Sequence, residues 1–254
     1  MNSVKRIVLK LGTSTLTQGT KRISRGKIED IAAQIQELND EYEIIVVSSG
    51  AIAAAKQVVD LRNSGAIEVK QALASIGQVH LMRIFQEVFS DYNLPVAQCL
   101  LTYYDFKNQE STDNIINTVE TLLEFGFIPI INENDTVATD EIMFGDNDKL
   151  AALTAVLCKA DLLILATDIE GLYDLDPKIY PEAKLIRKVT DPKLYMNHVT
   201  GTKSEQGSGG MKSKLVAADI ALQHKIPTWI LNGGTREFLK KALKKDMIYT
   251  EIVV

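Results

Sequence analysis

The sequence predicts an α/β protein with one domain over residues 1–254, a three-layer α/β/α sandwich built on a mainly parallel open sheet. Short β-rich runs alternate with longer helical patterns, which is typical of parallel strands joined by crossover helices. The strand runs are apolar throughout instead of alternating, as expected of strands that are buried on both faces. A chain of 254 residues can also bury the large core that such a sandwich needs.

The predicted strands share a short run of β-branched and aliphatic residues that ends at a glycine, a polar residue or a charge. In chain order they are RIVLKLG, EIIVVSSG, PVAQCLL, FIPIIN, DLLILATD, IPTWILN and MIYTEIVV.

The predicted helices have apolar residues at helical spacing, as in the first of them, where Ser24 is the expected N-cap. A break is expected near Gly77 in the longest one, because glycine weakens a helix. In chain order the helices are SRGKIEDIAAQIQELNDEY, AIAAAKQVVDL, Ile67–Tyr92, Asp113–Phe125, DKLAALTAVLCKA, GMKSKLVAADIALQHK and TREFLKKALK.

Composition and charge exclude several classes of protein. The 28 basic and 33 acidic residues give a net charge of -5, which argues against a general nucleic-acid-binding protein. No apolar run reaches the ~20 residues that cross a bilayer, and Lys10 interrupts the apolar run near the N-terminus, so no signal peptide is predicted. Cys99 and Cys158 lie in apolar contexts typical of buried thiols in a reducing compartment. We therefore expect a cytoplasmic protein without a membrane or nucleic-acid partner.

Open parallel sheets bind ligands beyond the C-terminal ends of their strands, so the strand-to-helix junctions are the candidate sites. At the first junction, KLGTST, Lys10 needs an anionic partner unless it extends to solvent at the strand end. At the second, VVSSGAIAA, Ser49 and Gly50 lead straight into a helix, which favours either an anion site or an ordinary N-cap.

A third junction, GSGGMKSK, places clustered glycines before a helix that carries Lys212 and Lys214, which favours phosphate binding over a flexible surface loop. Walker A, dinucleotide-binding and protein-kinase signatures are absent. The three histidines are scattered without metal-ligand spacing, so no metal site formed by protein residues is predicted. Two lysines and glycine-rich junctions at one sheet edge are what phosphoryl transfer requires, and an already ionised acceptor needs no general base.

The acidic stretch INENDTVATDEIMFGDNDKL raises the alternatives of a metal site, a catalytic carboxylate pair and a solvated loop. It lacks the glycine and glutamate positions of an EF-hand, and nothing else in the chain supports a two-carboxylate glycosidase. Asp140, Glu141 and Asp146 are interpreted as loop charge. Four other residues lie at a predicted strand end and a predicted helix start, where carboxylates and amides suit an ammonium group. These candidates for substrate binding are Asn134, Asp135, Asn147 and Asp148.

Seven stretches resemble the amino acid kinase family, in the same order along nearly the whole chain. They are VLKLGTS, VSSGAIAA, LLT, PIINENDTVAT, FGDNDKLAAL, LLILATDIEGLYDLDP and GSGGMKSKLVAADIA. INEND together with GDND points within that family to the glutamate 5-kinases. The resemblance implies an α/β/α sandwich that transfers a phosphoryl group from ATP, with Mg²⁺, to L-glutamate, giving L-glutamyl 5-phosphate for proline synthesis.

The resemblance also implies roles for individual residues. Lys10 and Lys214 would stabilise the transferring phosphoryl group, and Gly12 and Gly50 would offer it backbone N–H groups. The residues that would hold glutamate are Ser49, Asp135, Asn147 and Asp148, although Asp148 could orient the two lysines instead. The residues that would hold ATP are Lys10, Thr167, Asp168, Ser208, Gly209, Gly210, Met211, Lys212, Ser213 and Lys214.

Several expectations depart from the family pattern or stay open. Many bacterial glutamate 5-kinases carry a C-terminal PUA domain, which this sequence is expected to lack, and Lys212 stands where a small polar residue is expected. Feedback inhibition by proline and association into a dimer or tetramer are expected from the resemblance alone. The alternatives are a relative that acts on aspartate, N-acetylglutamate or a nucleoside monophosphate, and a non-catalytic sensor of an amino acid and a nucleotide.

Overall fold

The computed structural model describes residues 5–59, 66–138, 147–196 and 210–253. Within these ranges the strands form one sheet. The strands are β1 (Lys5–Leu11), β2 (Tyr42–Ser48), β3 (Val96–Leu101), β4 (Ile128–Glu133), β5 (Leu162–Thr167), β6 (Lys188–Val189), β7 (Thr228–Asn232) and β8 (Thr250–Ile252).

The α-helices of the described residues lie mostly between consecutive strands. They are α1 (Thr13–Thr17), α2 (Arg25–Leu38), α3 (Ala51–Ala55), α4 (Ile67–Ser90), α5 (Gln109–Glu124), α6 (Asp148–Leu157), α7 (Lys193–Met196), α8 (Met211–Gln223) and α9 (Phe238–Leu243). Within the described ranges, none is long and apolar enough to cross a membrane.

The strand order is β3-β4-β2-β1-β5-β7-β8-β6, and every neighbouring pair is parallel except β7 and β8. The predicted mainly parallel open sheet is therefore confirmed. Strands β4, β2, β1 and β5 are adjacent, so their C-terminal ends meet at one edge. Gly12, Ser49, Asn134 and Asp168 follow these four ends, and the sheet order places the ends side by side.

Successive residues of β1 face opposite layers, which explains why its sequence is apolar throughout. Leu9 belongs to a core cluster that contains Ile28 of α2, Phe85 of α4 and Phe238 of α9. Val8 belongs to a second cluster with residues of α5, α6 and α8, such as Leu215. The predicted three-layer sandwich is confirmed, and Lys10, two residues after Val8, belongs to the same side of the strand as that residue.

The break predicted near Gly77 is wrong, because α4 runs without interruption from Ile67 to Ser90. The glycine serves close packing between helices instead. A Cβ on Gly77 would lie 1.7 Å from the carbonyl oxygen of Ala51, the first residue of α3. Burial against α3 thus outweighs the low helix propensity of glycine at this position.

Other predicted helix and strand boundaries differ from the observed ones where the element is too short to show a periodic pattern of apolar residues. The helix predicted in AIAAAKQVVDL ends at Ala55, and the five-residue α1, the four-residue α7 and the two-residue β6 were not predicted. A helix of five residues is barely longer than one turn and has no periodicity that a sequence can display. The predicted N-cap is confirmed, because the Ser24 side chain accepts a hydrogen bond from the backbone N–H of Lys27. Cys99 and Cys158 are both free thiols, as predicted, but only Cys158 is buried and Cys99 is partly exposed.

We expect Gly77→Ala to destabilise the protein by about 1–3 kcal/mol or more, because the added methyl group overlaps the backbone of α3. Gly26→Ala is the matched control, since a Cβ on Gly26, inside α2, meets nothing within 4 Å. Alanine should leave stability unchanged there or raise it by about 0.4–1 kcal/mol. Urea unfolding midpoints measure both changes, and equal midpoints for the two variants would contradict the packing argument.

Candidate active site

A buried carboxylate at the start of α6 joins two lysines from separate elements. The Lys10 Nζ of β1 lies 2.6 Å from Asp148 Oδ1, and the Lys214 Nζ of α8 lies 3.0 Å from Asp148 Oδ2. Asp148 is 0% exposed, and both lysines are also buried. One carboxylate with two ammonium groups leaves a net charge of +1 at the edge of the sheet.

The pKa of Asp148 reflects two opposing effects. Burial by itself raises the pKa of a carboxyl group, but the charges of Lys10 and Lys214, assisted by the Ser213 hydroxyl, hold the pKa of Asp148 well below its usual range. The Ser213 Oγ lies 2.8 Å from Asp148 Oδ2 and 2.8 Å from the carbonyl oxygen of Gly210. Asp148 therefore stays ionised and fixes the first turn of α8 beside α6.

One glycine lies beside the triad, and a second lies in the turn directly before α3. A Cβ on Gly12 would lie 3.5 Å from the Lys10 Nζ, so a side chain there would occupy the approach to the ammonium group. Gly50 has a φ of 101°, which favours glycine, and it begins α3. The backbone N–H of Ser49 donates to the carbonyl oxygen of Leu11 at 3.0 Å, which ties this turn to the end of β1.

Asn147, directly before α6, is completely buried and has its amide nitrogen fully used. Its Nδ2 donates to the carbonyl oxygen of Ser48 at 2.8 Å and to Asn132 Oδ1 at 2.6 Å. Its Oδ1 has no hydrogen-bond partner among the described residues. A buried acceptor without a partner is unfavourable unless a ligand supplies the donor.

Asp135 lies beyond the end of β4 and is 7% exposed. Burial raises the pKa of its carboxyl group to about 6. Its Oδ1 and the hydroxyl of Ser49 also have no hydrogen-bond partner within the described part of the chain. Three candidate substrate residues therefore each present an unsatisfied polar atom, which a ligand rich in N–H donors would satisfy.

Asn134 contributes through its backbone to the turn that follows β4. Its N–H donates to the carbonyl oxygen of Leu101 at 2.9 Å, and its own carbonyl oxygen accepts from Val137 and Ala138. These bonds hold the segment that carries Asp135 against the ends of β3 and β4.

Thr167 is the last residue of β5, the strand beside β1, and Asp168 follows it. The Thr167 hydroxyl donates to Asp168 Oδ1 at 3.2 Å, and the Lys178 Nζ lies 3.0 Å from Asp168 Oδ2. Burial pushes the pKa of Asp168 upwards, but its bond to Lys178 outweighs that effect and the pKa is lowered. The sequence did not predict this lysine partner, which lies ten residues away in a loop.

The glycine-rich junction is described only from Gly210 onwards, where extended backbone at that residue leads into α8. Met211 is buried, whereas Lys212 is exposed. The other residues predicted here or in the acidic loop lie outside the described residues. They are Ser208, Gly209, Asp140, Glu141 and Asp146.

Sequence reasoning missed two buried amides that touch the site. The Asn132 Nδ2 donates to Gln78 Oε1 at 2.8 Å, while Asn132 Oδ1 accepts from Asn147. A polar residue at the end of an otherwise apolar strand was the available signal for Asn132. Gln78 lies inside α4 and has no signal in the sequence, because only the fold brings it to β4.

The raised pKa of Asp135 predicts how the stability of the ligand-free protein depends on pH. The folded-state value of about 6 exceeds the ordinary 3.8, so the folded protein binds more protons than the unfolded chain between these values. Stability is therefore lost as the pH rises from about 4 to 6. Asp135→Asn should raise the free energy of unfolding by up to ~3 kcal/mol at pH 8 and give little gain near pH 4.

Urea unfolding at the two pH values measures this difference, with exposed Asp40→Asn as the control that should change neither value. A gain of the same size at both pH values would contradict a buried, unpaired carboxylate at Asp135.

With the geometry established, known proteins provide a comparison. The amino acid kinase family model matches residues 5–232. A glutamate 5-kinase from a Geobacter species is 40% identical over 98% of this chain and 68% of its own length. The glutamate 5-kinase of Geobacter metallireducens is 44% identical over 95% of this chain and 66% of its own. The chain thus spans about two thirds of the length of the curated relatives it matches.

Solved structures agree on the fold. UMP kinase from Ureaplasma parvum superposes with a TM-score of 0.66 at 19% identity, covering 98% of this chain and 99% of that one. An isopentenyl phosphate kinase superposes with a TM-score of 0.65 at 17% identity, covering 97% and 100%. The match of the family model, the identity to curated relatives and the shared sandwich lead to one conclusion: the chain belongs to the amino acid kinase family.

Proposed function

We propose that this chain transfers the γ-phosphoryl group of ATP to the side-chain carboxylate of L-glutamate, giving ADP and L-glutamyl 5-phosphate. This would be the first step of proline synthesis from glutamate. The observation that carries the proposal is the buried triad of Lys10, Asp148 and Lys214 close in the fold to unsatisfied acceptors on Asp135 and Asn147. The curated relatives named glutamate 5-kinase support the choice of acceptor.

The triad would stabilise the charge that develops on the phosphoryl group during transfer. Asp148 neutralises one of the two lysines and holds both in place, so the remaining positive charge is oriented before substrates bind. Both carboxylate oxygens of Asp148 already pair with lysines, so we assign it to positioning of the lysines and not to contact with glutamate. Gly12 and Gly50 would add backbone N–H groups at the open approach to Lys10.

Glutamate would bind through its ammonium group. Asp135 Oδ1 and Asn147 Oδ1 would accept N–H bonds from it, and the Ser49 hydroxyl would complete the contact. The ammonium charge would lower the raised pKa of Asp135 and keep its carboxyl group ionised. The acceptor carboxylate of glutamate is itself ionised near neutral pH, so transfer needs no general base.

ATP would bind at the end of β5 and the start of α8, between Thr167, Asp168 and the segment that leads to Lys214. The described residues contain no cluster of three or more carboxylate, histidine or cysteine groups that could hold a metal. Mg²⁺ would be held mainly by the phosphates of ATP, where it would neutralise part of their charge.

Two alternative functions would require different features of the site. An aspartate, N-acetylglutamate or nucleoside monophosphate kinase would use the same triad, but N-acetylglutamate has no ammonium for Asp135, and a nucleotide would add negative charge beside it. A sensor without activity would not need two lysines on one buried carboxylate. Proline inhibition, a dimeric or tetrameric assembly and a cytoplasmic location stay predictions.

The acceptor can be tested directly by incubating the protein with ATP, Mg²⁺ and glutamate in the presence of hydroxylamine, which converts an acyl phosphate to a hydroxamate. We expect hydroxamate with glutamate and far less with aspartate or N-acetylglutamate. Product with another acceptor only would contradict the proposed substrate, and no product with any acceptor would favour the sensor.

The division of labour between charge groups predicts opposite kinetic effects. Lys214→Ala should lower kcat by about 10²–10³-fold with little change in KM for glutamate, because its charge acts in the transition state. Asp135→Ala should mainly raise the KM for glutamate. Steady-state kinetics measure both, with Lys184→Ala, an exposed lysine, as the control. The same change in KM for the two site variants would contradict these roles.

A further inference from the structure

Three buried side-chain amides connect helix α4 to the candidate substrate pocket, by which we mean the space beside Ser49, Asp135 and Asn147. The Asn132 Nδ2 at the end of β4 donates to Gln78 Oε1 of α4 at 2.8 Å. The Asn147 Nδ2 donates to Asn132 Oδ1 at 2.6 Å. Asn132 and Asn147 are each at most 1% exposed and Gln78 is 9% exposed, so water has little access to these bonds. This chain of amides, called the amide pathway below, runs from Gln78 in the middle of α4 through Asn132 to Asn147, directly before α6.

Three contacts together set the orientation of Asn132 and Asn147 in the amide pathway. The carbonyl oxygen of Ser48 can only accept, which favours the Asn147 Nδ2 facing it, at 2.8 Å. The backbone N–H of Glu133 can only donate, which favours the Asn132 Oδ1 facing it, at 2.9 Å. The Asn132 Nδ2 is then left for Gln78, whose Oε1 accepts from it.

This orientation determines what Asn147 offers to a ligand. Both of its N–H groups are used, so only Oδ1 remains, and that atom has no partner among the described residues. A reversed Asn147 would direct N–H groups at the pocket and bring its oxygen against the Ser48 carbonyl. The pocket would then repel an ammonium group where it should attract one.

We infer that Gln78 and Asn132 are positioning residues that keep Asn147 Oδ1 directed at the ammonium group of the amino-acid substrate. The inference rests on the proposed function. Neither residue needs to touch the substrate, since each acts through the next amide. The effect is on substrate recognition, because the lysine triad shares none of these bonds in the described structure.

The same face of α4 supports the other acceptor for the ammonium group. Gln71, seven residues before Gln78 and therefore on the same side of the helix, donates from Nε2 to the carbonyl oxygen of Asp135 at 3.0 Å. The Ser75 and Thr136 hydroxyls lie 3.2 Å apart between these two contacts. One helix thus holds both the Asp135 segment and the Asn147 orientation.

Removing the Gln78 acceptor should disturb the orientation of Asn147 and leave the other substrate-binding residues in place. The Asn132 Nδ2 would become a buried donor without a partner, which is costly. Asn132 could recover a partner only by turning, and its N–H group would then face the N–H groups of Glu133 and Asn147. Asn147 would occupy mixed orientations, and glutamate would bind only to the fraction with Oδ1 in place.

The test compares Gln78→Met, which has a similar volume but no strong acceptor, with Gln78→Glu, which keeps an acceptor for Asn132. We expect Gln78→Met to raise the KM for glutamate about tenfold, as for a lost hydrogen bond to a charged group. The kcat and the KM for ATP should stay unchanged. Gln78→Glu should recover most of the affinity for glutamate.

Gln34→Met is the matched control, because Gln34 is also buried but bonds to the backbone of α2 and α9. It should lower the urea midpoint and leave the KM for glutamate unchanged. If Gln78→Met does not fold, Gln78→Ala removes the same acceptor without filling the space.

The outcomes separate this inference from the proposed function. A wild-type protein that makes no hydroxamate from glutamate contradicts the proposed function, and the inference with it. An active wild type whose KM for glutamate is unaltered by Gln78→Met, or altered equally by Gln34→Met, overturns the positioning role alone. A parallel loss of kcat and of affinity for ATP would also overturn it, since that pattern indicates general damage to the fold.

Discussion

The contact of Asp148 with Lys10 and Lys214 is the interaction on which the candidate active site depends. Two lysines buried side by side would repel each other and would lose the hydration of their charges, so neither could stay charged there alone. One fully buried carboxylate at a helix N-terminus removes most of that cost and leaves one net positive charge. Because the three residues come from β1, α6 and α8, the charge arrangement forms only when the sheet and both helices are assembled.

Around this satisfied triad lie polar atoms that the described fold leaves unsatisfied. Ser49, Asp135 and Asn147 each present one to the same sheet edge. A buried polar atom without a partner destabilises the folded state. The raised pKa of Asp135 has the same cause, since burial makes its charged form less favourable. The difference between the paired triad and these unpaired atoms has a functional explanation. The groups that would stabilise the phosphoryl charge are already in position, whereas the groups that would recognise the substrate gain hydrogen-bond partners only when the ligand binds.

Helix α4 has more influence on this site than its position suggests. Gly77 lets it approach α3, whose first residue follows the Ser49–Gly50 turn. Its polar face supports the Asp135 segment through Gln71 and the Asn147 amide through Gln78. The same helix buries Phe85 in the core, so packing energy and ligand geometry are coupled through a single element.

The sequence by itself determined the fold class and most of the strands, because uniformly apolar runs alternating with helical patterns leave few other ways to bury both faces of a sheet. It also identified Lys10, Asp148 and Lys214 as charges at strand and helix ends. It could not predict that Gly77 lies inside a continuous helix, since the reason is the carbonyl of Ala51, which is distant in the chain. Nor could it decide whether Asp148 binds substrate or orients the lysines, or predict that Gln78 reaches Asn132, because contacts between residues 54 or more positions apart are decided by strand order and helix packing. Local pattern fixes what each segment becomes, and only the tertiary structure decides which polar atoms find partners and which are left for a ligand.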